Sequence, residues 1–175
     1  YVGITSREII ALRIAGMETF ESICHAFTTM PTGGFSTKNA SLAHYDNPMI
    51  HYIIIFFMFL AGINFSLHFH AMSGSIKTYF RDTEFLVYFL IILSISSIIF
   101  FSLSYQSNTF SDLTLRESLF GTIAMLTGTG YVLGDYEIWP VFLQMILLTL
   151  MFVGGMGGST TGGMKVIRVL LLVKY

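Results

Sequence analysis

In 175 residues the chain carries 54% hydrophobic and only 11% charged residues, with a mean hydropathy of +0.72, against roughly 25% charged in soluble domains. Seventeen Phe, nine Tyr and ten Met exceed what a soluble core of this size encloses, so the composition places the chain in a membrane. A net charge of −1 excludes a nucleic-acid footprint, and the lone Cys24 excludes an intrachain disulfide or a cysteine metal cluster.

The chain opens at Tyr1 with no initiator Met and no signal-peptide pattern, and it stops straight after an apolar run, which predicts a piece of a longer protein. Residues 1–17 read as the end of a helix too short and too charged to span alone, with an interfacial helix as the other reading. Residues 20–30 place Phe20, Ile23, Cys24, Phe27 and Met30 at near-helical spacing. About ten residues reach ~15 Å, half of a hydrocarbon core, so this is a re-entrant half-helix. A polar loop at 37–48 follows, and Pro48 suits the start of the next helix.

Residues 49–72 form the first uncharged span, with Asn64, His68 and His70 towards its far end. Residues 73–84 are a polar loop, and a second uncharged span runs from Phe85 to about Tyr105. A polar turn at 106–112 precedes a second half-helix, 113–125. Tyr136 and Trp139 suit an interfacial belt. Pro140 opens a last span that is interrupted by ten residues, Gly154–Gly163, six of the chain's glycines among them, and resumes at Met164.

This order repeats. Glu21 and Glu117 are 96 positions apart, and so are Gly34 and Gly130; Pro48 and Pro140 are 92 apart, as are Gly62 and Gly154. Helix, half-helix, Gly-rich turn and helix therefore occur twice. Lys77, Arg81, Lys165, Arg168 and Lys174 fall on the side opposite both turns, which the positive-inside tendency makes cytoplasmic, so both turns open outward.

Each turn is a Thr/Gly run closed by an aromatic: Met30-Pro31-Thr32-Gly33-Gly34-Phe35 and Leu126-Thr127-Gly128-Thr129-Gly130-Tyr131. Glycine tolerates positive φ, which lets successive carbonyls point one way. A ring of carbonyls is how a membrane protein replaces the water shell of K⁺. The carbonyls of Thr32, Gly33, Gly34, Phe35, Gly128, Thr129, Gly130 and Tyr131 are thus the candidate ion ligands, two of the filter segments of a potassium-conducting pore. Glu21 and Glu117 sit towards the N-terminal ends of the half-helices, where carboxylates are favourable. The bland alternative is two ordinary Gly-rich turns.

Gly154, Gly155, Gly157, Gly158, Ser159, Thr160, Thr161, Gly162 and Gly163 admit three readings. Glycines four apart pack helices closely. Gly158–Lys165 imitates a phosphate-binding loop but fails, because Lys165 does not directly follow the last glycine and no Ser or Thr follows it. An unwound intramembrane loop beneath the filter, acting as a gate, is the favoured reading. Hydrogen bonds between helices or an interface account for Asn64, His68 and His70, since His residues at i and i+2 face different sides of a helix. His25 and Cys24 read as packing, and no catalytic constellation appears, so no enzyme and no cofactor is expected.

His25-Ala26-Phe27-Thr28-Thr29 leading to Gly33-Gly34-Phe35-Ser36-Thr37, Thr127–Tyr131, and above all Gly157–Arg168 resemble the Trk/Ktr/HKT superfamily of potassium transporters, at its TrkH/KtrB membrane subunits. The resemblance covers essentially the whole chain but only the middle of a family member. It implies an all-α integral membrane fold of four joined helix–pore helix–filter–helix units, pseudo-fourfold around one pore. Residues 1–84 would be the second unit, with its outer helix truncated, and 85–175 the third, with its inner helix broken. Filter glycines map onto Gly34 and Gly130 and the family's gating loop onto Gly154–Gly163, whereas Pro31, Gly33 and Gly128 depart from residues many members carry. The resemblance further implies a homodimer in the bacterial inner membrane, a cytoplasmic nucleotide-binding subunit of the TrkA/KtrA type, and K⁺ as the transported ion. A sodium-permeable or cation-coupled relative, and a structural membrane protein whose glycines only pack helices, are the rival expectations.

Overall fold

The computed structural model describes residues 1–72, 74, 77–107 and 109–174. Ser73, Ser75 and Ile76 of the expected polar loop, Asn108 of the expected turn, and Tyr175 lie outside the described residues. Regular structure among the described residues is all helical: α1 (Val2–Ile14), α2 (Thr19–Thr29), α3 (Pro48–Ala61), α4 (Phe65–Met72), α5 (Lys77–Arg81), α6 (Thr83–Ser107), α7 (Asp112–Thr127), α8 (Val141–Val153) and α9 (Val166–Lys174), with 3-10 turns at Ser41–His44 and Tyr136–Ile138.

Local chemistry sets the helix ends. Asn47 accepts from the Met49 N–H and Pro48 fills the first turn of α3, where no intrahelical donor is needed. The Asn47 amide also donates to the Ala15 carbonyl at 2.7 Å, fixing the end of α1 beside the start of α3. Ser111 accepts from the Thr114 N–H to start α7, and Gly128 ends it in the left-handed region at φ 70°. Helix α7 packs against α3, α6 and α8, while α1 packs against α2. Leu12, Met17, Ile54, Met58, Tyr88, Phe120, Leu126 and Tyr131 are fully buried between them. Outward faces carry Phe56, Phe101, Phe142 and Phe152, apolar side chains left exposed as lipid requires. Among the described residues, α6 alone is long and apolar enough to cross a bilayer unaided.

Three details differ from the sequence-based reading. Helix α7 starts at Asp112, so Asp112 supplies the first-turn acid and Glu117 lies in the second turn. Trp139 turns inward rather than to an interface, stacking edge-on against Tyr136 at 4.8 Å and covering Gly121. Most consequentially, the span 49–72 is two helices, α3 and α4, bent by 101° at Gly62-Ile63-Asn64.

That corner is held from outside the span. The last carbonyls of α3 have no partner within the helix and must find donors in a medium without water. Leu60 receives the Ile63 N–H at 3.1 Å and His68 Nε2 at 2.9 Å; Phe59 receives the Tyr88 hydroxyl at 3.3 Å. Ala61 receives the Thr160 hydroxyl at 3.2 Å, and Gly62 the Met156 N–H at 3.0 Å. Asn64 accepts from the Ser66 N–H at the head of α4. His68 also accepts from the Tyr79 hydroxyl at 2.7 Å, so its role is the inter-helix bonding expected of it, while His70 lies on the exposed side.

A side chain at position 62 has no room: its Cβ would fall 2.1 Å from the Tyr88 hydroxyl and 3.1 Å from Thr127 Cγ2. Overpacking of this kind costs ~1–3 kcal/mol. Gly62→Ala should therefore lower the melting temperature of the full-length protein in detergent, and Tyr88→Phe in the same chain should restore part of the loss. A melt indistinguishable from the parent's would rule out the close contact.

Candidate functional site

The two Gly-rich turns meet. A Cβ placed on Gly34 would lie 1.8 Å from the Thr129 carbonyl oxygen and 3.4 Å from the Gly130 carbonyl carbon, so only glycine lets the first turn lie against the second. Gly34, Gly128 and Gly130 have φ of 67°, 70° and 76°, and Thr32 joins them at 57°. A Cβ on Gly130, by contrast, would meet nothing within 4 Å. The two filter glycines of the sequence reading are thus required for different reasons, packing at Gly34 and conformation at Gly130.

Most of the candidate carbonyls are left unengaged. Among the described residues, no donor reaches the carbonyls of Thr32, Gly33, Gly34, Gly128, Thr129, Gly130 or Tyr131. The exception is Phe35, whose carbonyl accepts from the Thr28 hydroxyl at 2.8 Å. The N–H groups of the same segments are instead turned back: those of Gly33 and Gly34 donate to Thr28, at 2.7 and 3.2 Å, and that of Gly130 donates to Ala124 at 3.2 Å. Donors facing the pore helices and acceptors facing away is the polarity a cation site needs.

The closing aromatics diverge. Tyr131 is fully buried, and its hydroxyl lies 2.6 Å from Thr28 Oγ1, 3.2 Å from Thr29 Oγ1 and 3.2 Å from the His25 carbonyl. The Tyr131 hydroxyl donates to the His25 carbonyl and shares a hydrogen bond with Thr28, whose hydroxyl also reaches the Phe35 carbonyl, which ties the second turn to the first half-helix. Phe35 is 77% exposed and makes no equivalent tie. His25, read from the sequence as packing, also braces the first turn. Its Nδ1 donates to the Glu21 carbonyl at 2.8 Å, so its Nε2 accepts from Ser36 at 3.0 Å.

The outer ends are joined by polar contacts. Lys38 pairs with Glu21 at 2.7 Å, and the Tyr45 hydroxyl donates to the same carboxylate at 2.8 Å. The Lys38 hydrogen bond, followed by that of Tyr45, holds the Glu21 carboxyl below its ordinary range, and Glu21 raises Lys38 in return. The Val132 carbonyl accepts from the Leu42 N–H, and the Val132 N–H donates to Ser41, linking the two exit loops. Nearby, Arg116 donates to His51 Nδ1 at 3.2 Å; an arginine only donates, so His51 is protonated at Nε2 and donates to the Leu42 carbonyl.

Beneath both turns lies the Gly154–Gly163 loop. Its Thr160 hydroxyl donates to the Met30 carbonyl at 2.8 Å, and its Thr160 carbonyl accepts from the Thr32 hydroxyl at 3.2 Å. Gly162 approaches Gly128, whose Cβ position is 4.0 Å from the Gly162 N. The loop crosses itself where Gly154 meets Gly162 and Gly163: a Cβ on Gly154 would lie 2.4 Å from the Gly162 carbonyl oxygen. Thr161 Oγ1 accepts from the Gly155 N–H and lies 2.8 Å from the Ser159 hydroxyl, and Lys165 donates to the Thr161 carbonyl. One carboxylate from outside serves the loop. Glu84, in the first turn of α6, accepts from the Gly157 N–H at 2.7 Å and the Ile167 N–H at 3.0 Å through the same oxygen. Sequence reasoning missed Glu84, His51 and the break at Gly62; the offset that pairs Gly62 with Gly154 is the signal that points to the last.

Residues 4–175 match the family model described as TrkH, cation transport protein. The Trk system potassium uptake protein TrkH of Escherichia coli K12 is 40% identical over 99% of this chain and 36% of its own length. The Trk system potassium uptake protein TrkG of the same strain is 34% identical over 95% and 34%. The crystal structure of the potassium transporter TrkH from Vibrio parahaemolyticus superposes with a TM-score of 0.93 at 37% identity, over 99% of this chain and 38% of that one. The chain thus spans just over a third of the length of the relatives it matches. The chain belongs to the TrkH family of cation transport proteins, membrane transporters rather than enzymes.

Proposed function

We propose that this chain forms two adjacent units of a potassium uptake pore, residues 1–84 as the second and 85–175 as the third, in which dehydrated K⁺ moves down its electrochemical gradient between main-chain carbonyls. The carrying observation is that the two turns abut at Gly34 and Thr129 while the carbonyls of Thr32–Gly34 and Gly128–Tyr131 receive no donor from the described residues. Carbonyls at membrane depth without donors are costly unless a cation or water meets them. Phe35 closes the outer end, its carbonyl shared with Thr28; a carbonyl has a second lone pair for an ion.

Gly154–Gly163 is the gate in this reading. It supports that role by lying against both turns: the Thr160 hydroxyl donates to the Met30 carbonyl, the Thr160 carbonyl accepts from the Thr32 hydroxyl, and Gly162 approaches Gly128. The family supports a multi-pass protein of the bacterial inner membrane, acting as a homodimer with a nucleotide-binding regulatory subunit of the TrkA/KtrA type. The initial uptake of ⁸⁶Rb⁺ and ²²Na⁺ by the full-length protein tests the central claim. Excess K⁺ should suppress both; ²²Na⁺ uptake indifferent to K⁺ would assign the pore to sodium instead.

Two substitutions separate packing from selectivity. A residue with a side chain in the left-handed region costs ~1–2 kcal/mol. At Gly130, with open space around it, Gly130→Ser should leave the amount of membrane protein unchanged and lower the Rb⁺/Na⁺ uptake ratio about tenfold, the equivalent of ~1.4 kcal/mol. At Gly34, where the Thr129 oxygen occupies the space, Gly34→Ser should reduce the amount of folded protein as well. Equal ion ratios in Gly130→Ser and the parent would remove Gly130 from the filter. Shortening the loop within Gly155–Gly163 should raise uptake per molecule, and unaltered uptake would remove the gate.

A further inference from the structure

We propose that Glu84 is the positioning residue that holds the Gly154–Gly163 loop across the ion path, making the first turn of α6 the lever by which the path opens. This rests on the reading of the loop as a gate.

The loop is fixed to its surroundings at two places. Towards the first turn and the corner, its bonds among the described residues are uncharged: Thr160 to Met30, Ala61 and Thr32, Met156 to Gly62, and the Gly158 carbonyl to the Phe65 N–H. Towards α6 it is held by Glu84, the one carboxylate among the described residues to which its backbone donates. A single oxygen takes both N–H groups, one from the rising limb at Gly157 and one from Ile167 in the first turn of α9. Both donors would otherwise be orphans, Gly157 because it lies in no regular structure and Ile167 because a first-turn N–H has no intrahelical acceptor. Bonds to an ionised acceptor are about twice as strong as neutral ones, and this carboxylate also faces the positive end of α9. Glu84 therefore pins the entrance of the loop to its exit, and both to α6.

The same stretch of α6 touches the corner that the loop fills. Tyr88, four residues on and fully buried, bonds the Phe59 carbonyl and occupies the space beside Gly62. Asp82, just before, accepts from the Phe85 N–H and connects this turn to α5. A displacement of the first turn of α6 thus acts on the loop through Glu84 and on its seat through Tyr88 together.

The test uses the full-length protein in cells lacking other potassium uptake, with initial ⁸⁶Rb⁺ uptake per molecule in the membrane as the readout. Glu84→Ala should raise uptake roughly three- to tenfold by removing two charge-assisted bonds from the closed state. Glu84→Gln, whose amide oxygen still accepts, should fall between Glu84→Ala and the parent. The Rb⁺/Na⁺ ratio should not change in either. A purely structural role would instead lower the amount of protein without raising uptake per molecule. Should Glu84→Ala not accumulate, Glu84→Gln decides alone: raised uptake supports the latch, and parental uptake overturns it. If shortening the loop raises uptake and neither Glu84 variant does, the loop gates without this latch. If shortening changes nothing either, the gate reading falls and the latch with it.

Discussion

Inside a bilayer a backbone carbonyl has no water to turn to, and the position of every irregular segment in this chain follows from that constraint. Four places interrupt helical bonding at depth: the two turns after the half-helices, the corner at Gly62–Asn64, and the loop at Gly154–Gly163. The last two satisfy one another, since the carbonyls freed at Ala61 and Gly62 are those that Thr160 and Met156 of the loop reach. The turns are different. Their N–H groups fold back onto the half-helices, and seven of their eight candidate carbonyls are left without a protein donor among the described residues. Unsatisfied acceptors are tolerated where an ion or water supplies the missing partner.

The two units share an order and not a geometry. Both inner helices break at positions 92 apart, after Ala61 and after Val153. In the first unit the break is a three-residue corner, and in the second it is a loop that runs from Gly154 to Lys165. A short corner leaves acceptors but offers no segment long enough to bond them, whereas the long loop brings hydroxyls and N–H groups across to the other unit. Duplication supplies matched breaks, and divergence in the second copy lets its loop bond the carbonyls freed in the first. The closing aromatics diverge in the same way: a hydroxyl on Tyr131 reaches Thr28 and Thr29, and Phe35 lacks the atom to do so.

Most of the architecture was legible because it is written in periodic apolar runs and in glycine. Gly34 and Gly130 stood out through their shared 96-residue offset, and the loop through its glycine density. The corner at Gly62–Asn64 was hidden, because Ile63 and Phe65 continue the apolar run and one glycine is common in membrane helices. The bend depends on donors from residues 156 and 160, and no local window contains them. Glu84 was read as one charge in a polar loop for the same reason; its role exists only once Gly157 and Ile167 are brought beside it. Trp139 misled by type, since a tryptophan near a helix start suits an interface as well as the pocket over Gly121 that it fills.

What holds the loop in place also limits how firmly it is held. Its contacts with the turns and the corner are hydroxyl and amide bonds, and a typical bond of this sort contributes a net ~0.5–1.5 kcal/mol. Each is a bond that water or an ion can replace once the path is wet, so leaving costs far less than extracting a packed apolar side chain. Burial does little to retain it, for the loop is glycine, serine and threonine along most of its length, with Met156 as its one fully buried apolar anchor. Backbone strain works in the same direction: Lys165, at φ 75°, carries a side chain in the left-handed region at the loop's base. A segment built this way is held mostly by weak, uncharged bonds, and the carboxylate bonds of Glu84 to Gly157 and Ile167 are large beside them.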